Sequence, residues 1–259
     1  MSSPGRVDYL SFLRPSQEAL ILYRDQAELD HVLLEHVKSG LDAGDKVIYL
    51  AGTRSMPEVQ NVLFSSGVDV DYHYKRRNLT IQTYDDLCLV NGTLDLQNIH
   101  TKLSSITQEI TKGDHLCNVR LVTESNWWLW ADVFEKGLEA EETHAILPPN
   151  ISSICTYRLP DLLEYTRIYH IAKLIELHRH AVWAASLDGP LMHRYNLLSY
   201  VRGVVLSSIQ DLELSLEYGK KVNVDSLSPA ELIQCIKDRD EVAELESVVE
   251  SHLRRILRV

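Results

Sequence analysis

The sequence is poor in the features that mark several classes of protein. Its 259 residues include only four cysteines, whose scattered spacing predicts neither a disulfide framework nor a cysteine-based zinc site. No uninterrupted apolar run reaches the ~20 residues that span a bilayer, and Met1–Ser16 lacks the apolar segment of a signal peptide. We therefore expect a cytoplasmic protein with reduced thiols and no membrane association.

The chain also has fewer basic residues than acidic ones. Lysine and arginine number 26 against 37 aspartates and glutamates, which gives a formal net charge of −11. An acidic surface repels a polyanion, and the densest basic run is only Lys75–Arg77, so direct nucleic-acid binding is not expected. Hydrophobic residues make up 45% of the chain, which is enough to bury a full core.

The first folding unit along the chain is a strand, a helix and a second strand. Ala19–Tyr23 is a short apolar run of the kind that forms a buried parallel strand. The residues that follow at helical spacing are Leu29, Val32, Leu33, Val37 and Leu41. Asp25 is expected to cap this helix with Glu28 as its capping-box partner, Gly40 to end it, and Lys46–Leu50 to form the second strand.

The turn between this strand and helix lacks a phosphate-binding loop. A nucleotide-binding protein places glycines and a Lys-Ser/Thr pair there, because the free N–H groups and the helix dipole favour phosphate. This turn, Arg24–Glu28, has no glycine, and its two carboxylates would occupy the N–H donors and repel phosphate. ATP binding at this turn is therefore not expected.

Further strands and helices alternate up to about residue 160. Strands are predicted at Asn78–Tyr84, Asn118–Glu124 and Ser152–Leu159, and helices at Pro57–Ser66, Leu94–Lys112 and Trp127–Glu142. This order predicts a three-layer α/β fold with a mainly parallel, five-stranded sheet. In such folds ligands usually bind beyond the C-terminal ends of the strands.

The rest of the chain shows a purely helical pattern. Helical stretches are predicted at Leu162–Ala185 (one helix or two), Leu191–Tyr218 and Pro229–Val259. The predicted organisation is an N-terminal arm (1–18), an α/β domain (19–187) and a helical C-terminal region (188–259). The apolar stripe of the last helix fits either docking on the preceding helices or a homodimer seam.

A series of short motifs, in this order along the chain, resembles the MEDS domain, the sensory domain of methanogens and methylotrophs first defined in the DcmR regulator. The matching residues are Tyr23, Gly40–Leu41, Gly44–Asp45, Val47–Tyr49, Gly67–Val70, Asn78–Ile81, Arg120, Glu124, Trp127 or Trp128, and Cys155–Tyr157. Thr123 departs from the pattern, since a glycine is expected there. The same stretch, about 19–170, resembles a RecA/KaiC-type ATPase core without its phosphate loop. The resemblance implies an archaeal or bacterial sensory or signal-transduction domain that binds a small ligand.

Six residues are candidates for ligand contact. They are Tyr23, Arg120, Glu124, Trp127, Trp128 and Tyr157. Each has an ordinary structural alternative: Arg120 and Glu124 share a strand face and could pair with each other, Glu124 could cap a helix, and the tryptophans could simply pack in the core. No catalytic residue, metal site or particular cofactor is indicated, because neither a Ser-His-Asp arrangement nor a His-Glu-x-x-His motif is present.

Three functional hypotheses remain open at this point. The first is a non-catalytic sensor that binds a small ligand or a signalling protein at the C-terminal edge of the sheet. The second is a degenerate RecA/KaiC-like nucleotide-binding protein, or pseudo-ATPase, against which the missing phosphate loop argues. The third is an assembly adaptor that acts through the C-terminal helices.

Overall fold

The computed structural model describes residues 10–91, 93–112, 117–130, 133–144, 150–184, 194–212, 214, 226–236 and 238–257. Its strands are β1 (Glu18–Tyr23), β2 (Lys46–Ala51), β3 (Leu79–Thr83), β4 (Leu89–Val90), β5 (Thr93–Leu94), β6 (Val119–Glu124), β7 (Ile151–Arg158) and β8 (His180–Trp183). Its helices are α1 (Gln26–Ala43), α2 (Met56–Ser65), α3 (Val70–Lys75), α4 (Tyr84–Cys88), α5 (Leu96–Ile110), α6 (Trp127–Trp130), α7 (Phe134–His144), α8 (Leu159–Tyr165), α9 (Ile168–Leu177), α10 (Arg194–Asp211), α11 (Pro229–Gln234) and α12 (Arg239–Leu257).

Six parallel strands form one sheet, in the order β3-β2-β6-β7-β1-β8. The strands are nearly continuous apolar runs because helices cover both faces. Helices α1 to α3 share a core with residues such as Ile21 and Tyr49 on one face, called here the α1 face. Helices α4 to α12 share a second core with Leu20 and Ile48 on the opposite face. The predicted three-layer, parallel α/β fold is therefore confirmed.

The sheet has a sixth strand that the sequence analysis missed. All five predicted strands are present, but the stretch predicted as helical up to Ala185 contains β8 after α8 and α9. Strand β8 pairs in parallel with β1, with His180 opposite Ala19. A four-residue apolar run beside a helix cannot be recognised from its periodicity, and here pairing with the edge of β1 determines its conformation.

Helix α1 begins as predicted but ends later. The Asp25 side chain caps it by accepting the Glu28 N–H at 3.0 Å, whereas Glu28 accepts the Arg24 N–H at 2.8 Å. The helix ends at Gly44, whose φ of 89° is left-handed, so Gly40 as its end was wrong. Gly40 is buried within the helix and leaves space for a neighbouring side chain.

Two other predicted helices are interrupted. The helix predicted at Trp127–Glu142 is divided into α6 and α7, and the one predicted at Pro229–Val259 into α11 and α12. The second break has a local cause, because the Asp238 side chain accepts the N–H groups of Asp240 and Glu241 and so starts a new helix. Residues 212–218 of the predicted Leu191–Tyr218 helix lie beyond α10 and mostly outside the described residues.

The C-terminal helices pack against the face formed by α9 and β8. Helices α10, α11 and α12 contribute to the same core as Leu174 and Ile175 of α9. The Glu246 carboxylate of α12 accepts the Tyr169 N–H at 3.3 Å and pairs with Arg167 at 2.9 Å, so it caps the start of α9 from a distant part of the chain.

Two further predictions concern the N-terminal arm and membrane segments. Residues 1–9 of the predicted arm lie outside the described residues, and Leu10 is fully buried in the core of the α1 face. Among the helices described, none has the length and apolar character to cross a membrane.

Candidate functional site

The six predicted contact residues fall in three separate places. Tyr23 and Glu124 lie on the α1 face at the C-terminal edge of the sheet, where their strands end. Arg120 is on the same face but at the opposite edge, because it is the second residue of its strand. The remaining three, Trp127, Trp128 and Tyr157, belong to the core of the other face. The structure thus brings together only Tyr23 and Glu124 on the α1 face.

Arg120 pairs with residues around the end of α1. Its Nε donates to Asp45 Oδ2 at 2.7 Å and its Nη1 donates to the His36 carbonyl at 2.8 Å. The side chain lies over Gly40, where an added Cβ would be 2.6 Å from its Nε. Glu124 lies four positions further along the strand, roughly 13 Å away, so the predicted ion pair between these two residues does not form.

Glu124 is completely buried and receives hydrogen bonds from the loop that follows β2. Its Oε1 accepts from the Tyr49 hydroxyl at 2.7 Å and from Arg54 Nε at 2.7 Å. Its Oε2 accepts from the Gly52 N–H at 3.2 Å and from the N–H and hydroxyl of Thr53 at 3.0 and 2.9 Å. The carboxylate therefore connects the β2 loop with β6 through these hydrogen bonds.

Arg54 extends this network to α1. Its Nη2 lies 2.5 Å from Glu124 Oε1, and its Nη1 lies 2.7 Å from Asp30 Oδ1. Burial by itself would raise the pKa of Glu124, but the guanidinium and the hydrogen bonds from Thr53 and Tyr49 outweigh it and lower that pKa. Glu124 is therefore ionised at neutral pH, and the buried charge is compensated.

Protein atoms fill the crevice where open α/β sheets usually bind ligands. Strands β2 and β6 are neighbours, but β2 leads to β3 on one side and β6 leads to β7 on the other. The crevice between two such strands is the common ligand site in this architecture. Here Gly52, Thr53 and Arg54 occupy it through their bonds to Glu124.

A second buried polar network lies at the ends of β6 and β7. Asn126 Nδ2 donates to Asp161 Oδ2 at 2.5 Å, and Asn126 Oδ1 accepts the Arg158 N–H at 2.6 Å. Arg158 Nη1 donates to Asp161 Oδ1 at 2.6 Å. Burial raises the pKa of Asp161, although Arg158 and Asn126 oppose that shift. The sequence analysis did not single out Arg158 or Asp161; the only available signal was that polar residues directly follow two neighbouring strands.

Tyr23 ends β1, opposite Arg158 in the register with β7, and the charges of both networks act on its hydroxyl. Its side chain is 2% exposed, and no other described residue forms a hydrogen bond with its hydroxyl. Burial raises its pKa most, followed by the charges of Glu124 and Asp161, while Arg54 and Arg158 lower it. The phenol is therefore neutral at physiological pH and can donate a hydrogen bond.

The aromatic residues on the opposite face are packed side chains. Trp127 stacks on Tyr84 with ring centroids 5.3 Å apart, and its Nε1 donates to Asp85 Oδ1 at 2.8 Å. Trp128 meets both rings edge-on. Tyr157 is fully buried in the same core. These contacts favour the core-packing alternative for the tryptophans.

The turn before α1 is occupied by its own side chains. Asp25 accepts the Glu28 N–H, and Glu28 accepts the N–H and the guanidinium of Arg24. These are the donors that a phosphate would need. Elsewhere in the described ranges, no three histidine, cysteine or acidic side chains come together as a metal site would require.

Comparison with known proteins gives a family match over more than half of the chain. The profile of the methanogen/methylotroph, DcmR sensory domain (MEDS) matches residues 19–179. No curated protein matches the chain.

The fold is similar to several solved structures from Pyrococcus horikoshii. A KaiC-like protein of strain OT3 is 14% identical with a TM-score of 0.48, over 65% of this chain and 71% of that one. An uncharacterized protein in complex with an unknown peptide is 12% identical with a TM-score of 0.49, over 66% and 78%. A third protein, also of strain OT3, is 11% identical with a TM-score of 0.48, over 68% and 85%. At these values the likenesses carry no conclusion about ligand or activity.

Proposed function

The chain belongs to the MEDS family of sensory domains, and from that premise we propose that it is a non-catalytic sensor of a small polar ligand. The proposed contact point is the Tyr23 hydroxyl at the C-terminal edge of the sheet. Tyr23 lies opposite Arg158, a member of the Asp161 network, and the charge of Glu124 also acts on its hydroxyl.

The observation that carries the proposal is the Tyr23 hydroxyl itself. The side chain is almost completely buried, and the part of the chain that is described offers its hydroxyl no hydrogen bond. The hydroxyl is not one of the buried polar atoms without a partner, so it reaches solvent at the edge of the sheet, where a ligand would accept its hydrogen bond. A net hydrogen bond of this kind contributes about 0.5–1.5 kcal/mol. The nearby carboxylates and arginines favour a ligand with both donor and acceptor groups.

Signal transmission is proposed to run through the Glu124–Arg54 network. Arg54 connects the loop after β2 with Asp30 on α1, and α2 begins two residues after Arg54. A ligand that binds better when this network is rearranged would shift the population towards the rearranged state. Helix α2 would then present a different surface to a signalling partner.

The proposal includes a cytoplasmic location in an archaeon or bacterium. The sensor would contact neither membrane nor nucleic acid, and its partner would be a signalling protein or a second copy of the chain. The pseudo-ATPase alternative is not favoured, because the Arg24 and Glu28 N–H groups of the turn already donate to the turn's own carboxylates. The adaptor alternative has less support, because the apolar residues Leu245, Val249 and Leu253 of α12 are buried against the preceding helices.

The test is thermal unfolding of the full chain against a panel of one-carbon compounds, halogenated C1 compounds, amines, metal ions and nucleotides. A ligand that binds only the native state, at a concentration of about 100 times its dissociation constant, stabilises the folded protein by about 2.7 kcal/mol. We expect a member of the small polar classes to raise the unfolding midpoint, and Tyr23→Phe to weaken its binding about tenfold. Tyr165→Phe, which removes an exposed hydroxyl, is the matched control.

Other outcomes would contradict the proposal. A shift with ATP and magnesium that survives Tyr23→Phe would support the nucleotide-binding alternative. No shift with any compound would favour the adaptor. Equal affinity for wild type and Tyr23→Phe would show that a ligand binds elsewhere.

A further inference from the structure

A groove of about 530 Å³ lies between the starts of α9 and α12 and the helix α11. Its apolar part is formed by Ile233, Ile236 and Val242, all of which are buried. The volume falls in the usual range for small-molecule sites, which is about 300–1,000 Å³. None of the residues of the Tyr23 site lines it.

Two guanidinium groups flank this apolar floor. Arg167, just before α9, and Arg239, at the start of α12, both line the groove. Arg167 shares its charge with Glu246 at 2.9 Å. Arg239 is exposed and forms no ion pair or hydrogen bond with the residues that the structure describes. The groove therefore combines an apolar surface with a guanidinium that forms no ion pair among the described residues, although the acidic Asp238 and Asp240 are its neighbours in the chain.

The polar wall of the groove is fixed in place. Gln234 Nε2 donates to the Tyr169 hydroxyl at 2.8 Å, and the Tyr169 N–H is held by Glu246 at 3.3 Å. This wall does not have to reorganise to admit a ligand, which reduces the entropic cost of binding.

We infer that this groove binds a small amphipathic organic anion, a carboxylate or phosphate monoester on a short apolar body. The apolar body would cover Ile233, Ile236 and Val242, and the anionic group would accept hydrogen bonds from Arg239, with Arg167 adding positive charge. Guanidinium groups bind both anions through paired, charge-assisted hydrogen bonds. Both ligands carry an anionic group on an apolar stem, and the experiment below distinguishes the carboxylate from the phosphate monoester.

The ligand would join two parts of the chain. Arg167 and Tyr169 lie within the matched family region, residues 19–179, whereas Gln234 and Arg239 lie after it. An anion in this groove would strengthen the contact between α9 and the C-terminal helices. The inference does not depend on the ligand proposed for Tyr23, because the two sites share no residue.

The experiment is calorimetric titration of the full chain with hexanoate, hexyl phosphate and hexanol. We expect both anions to bind and hexanol to bind at least tenfold more weakly, since it has the same apolar stem without the charge. Arg239→Gln should weaken anion binding about tenfold to a hundredfold, because a charge-assisted hydrogen bond contributes about 1.5–3 kcal/mol. It should fold normally, since Arg239 is exposed.

A control variant separates a local contact from net charge. Arg255→Gln removes the same charge from α12 at an exposed position outside the groove, and it should leave the affinity unchanged. Three results would overturn the inference: no binding of either anion, equal binding of hexanol, or equal losses in Arg239→Gln and Arg255→Gln. A Tyr23→Phe variant that still binds hexanoate shows that this groove is independent of the proposed sensory site.

Discussion

Arg120 and Glu124 lie on one face of β6, four residues apart, yet each pairs with a different partner. Arg120 pairs with Asp45 at 2.7 Å, and Glu124 pairs with Arg54 at 2.5 Å. One strand therefore has a buried or half-buried ion pair at each end. Because the two pairs share no residue, their effects on stability should be additive.

The Glu124 carboxylate should be among the most sensitive positions of the fold. Glu124→Ala removes the acceptor of three backbone N–H groups of the β2 loop and leaves the Arg54 guanidinium with Asp30 as its ion-pair partner. We expect a loss of about 3–5 kcal/mol in the free energy of unfolding, measured by urea denaturation.

A surface glutamate provides the comparison. Glu244→Ala on α12 removes an exposed carboxylate and should change stability by less than about 0.5 kcal/mol. A loss at Glu124 no larger than that at Glu244 would show that the loop and β6 are not held together by this carboxylate.

The same carboxylate should contribute to the dependence of stability on pH. Its pKa is lowered in the folded state, so the folded protein binds fewer protons than the unfolded chain near the ordinary value of 4.5. The stabilisation is therefore present above about pH 4.5 and is lost as the pH falls through the lower, folded pKa. In Glu124→Gln this contribution is absent.

The measurement is the difference in unfolding free energy between wild type and Glu124→Gln from about pH 7 to about pH 3. We expect the difference to shrink as the pH falls. A constant difference would mean that Glu124 has the same pKa in the folded and unfolded states.

Two glycines inside helices should respond oppositely to alanine. In Gly40→Ala the new Cβ would meet the Arg120 side chain at 2.6 Å, which forces that side chain away from Asp45 and should cost about 1–3 kcal/mol. In Gly203→Ala, within α10, the Cβ has no neighbour within 4 Å among the described residues. There alanine should stabilise the helix by about 0.5–1 kcal/mol. Thermal unfolding of both variants checks the prediction, which fails if the two shifts have the same sign.

The bond between Trp127 and Asp85 should be measurable as a coupling energy. Trp127 Nε1 donates to Asp85 Oδ1 at 2.8 Å, and the indole is largely buried while the aspartate is exposed. A double-mutant cycle with Trp127→Phe and Asp85→Ala should give a coupling of about 1–2 kcal/mol in urea unfolding. Additive single losses would show that the indole contributes only through its packing on Tyr84.

The alternation of apolar runs and helical periods predicted most of the fold. It gave five strands, their parallel arrangement and the layer of helices on each face, because each pattern reflects which residues are buried. It missed β8, whose four residues form a strand only because the edge of β1 is available to pair with them. It placed the end of α1 at Gly40, since a sequence does not distinguish a glycine that ends a helix from one that admits the Arg120 side chain.

The candidate site was predicted less completely. Strand ends placed Tyr23 and Glu124 correctly at one edge, because parallel strands end together. The partners of Glu124 were not predicted, since Arg54 comes from a loop whose path depends on the packing of α2. Asp161 and Arg158 were missed because their connection to Asn126 links two different strand ends. Arg158 and Asp161 lie at or just after the end of β7, whereas Asn126 follows β6.

The carboxylate of Glu246 makes the matched family region depend on residues outside it. Helix α9 lies in the matched stretch, but the N–H at its start is satisfied from α12, and the apolar side of α9 is covered by the last three helices. A chain shortened to residue 187 would expose that apolar side and leave the Tyr169 N–H to water. Grafting the sensory region alone onto another protein would therefore require a substitute for α12.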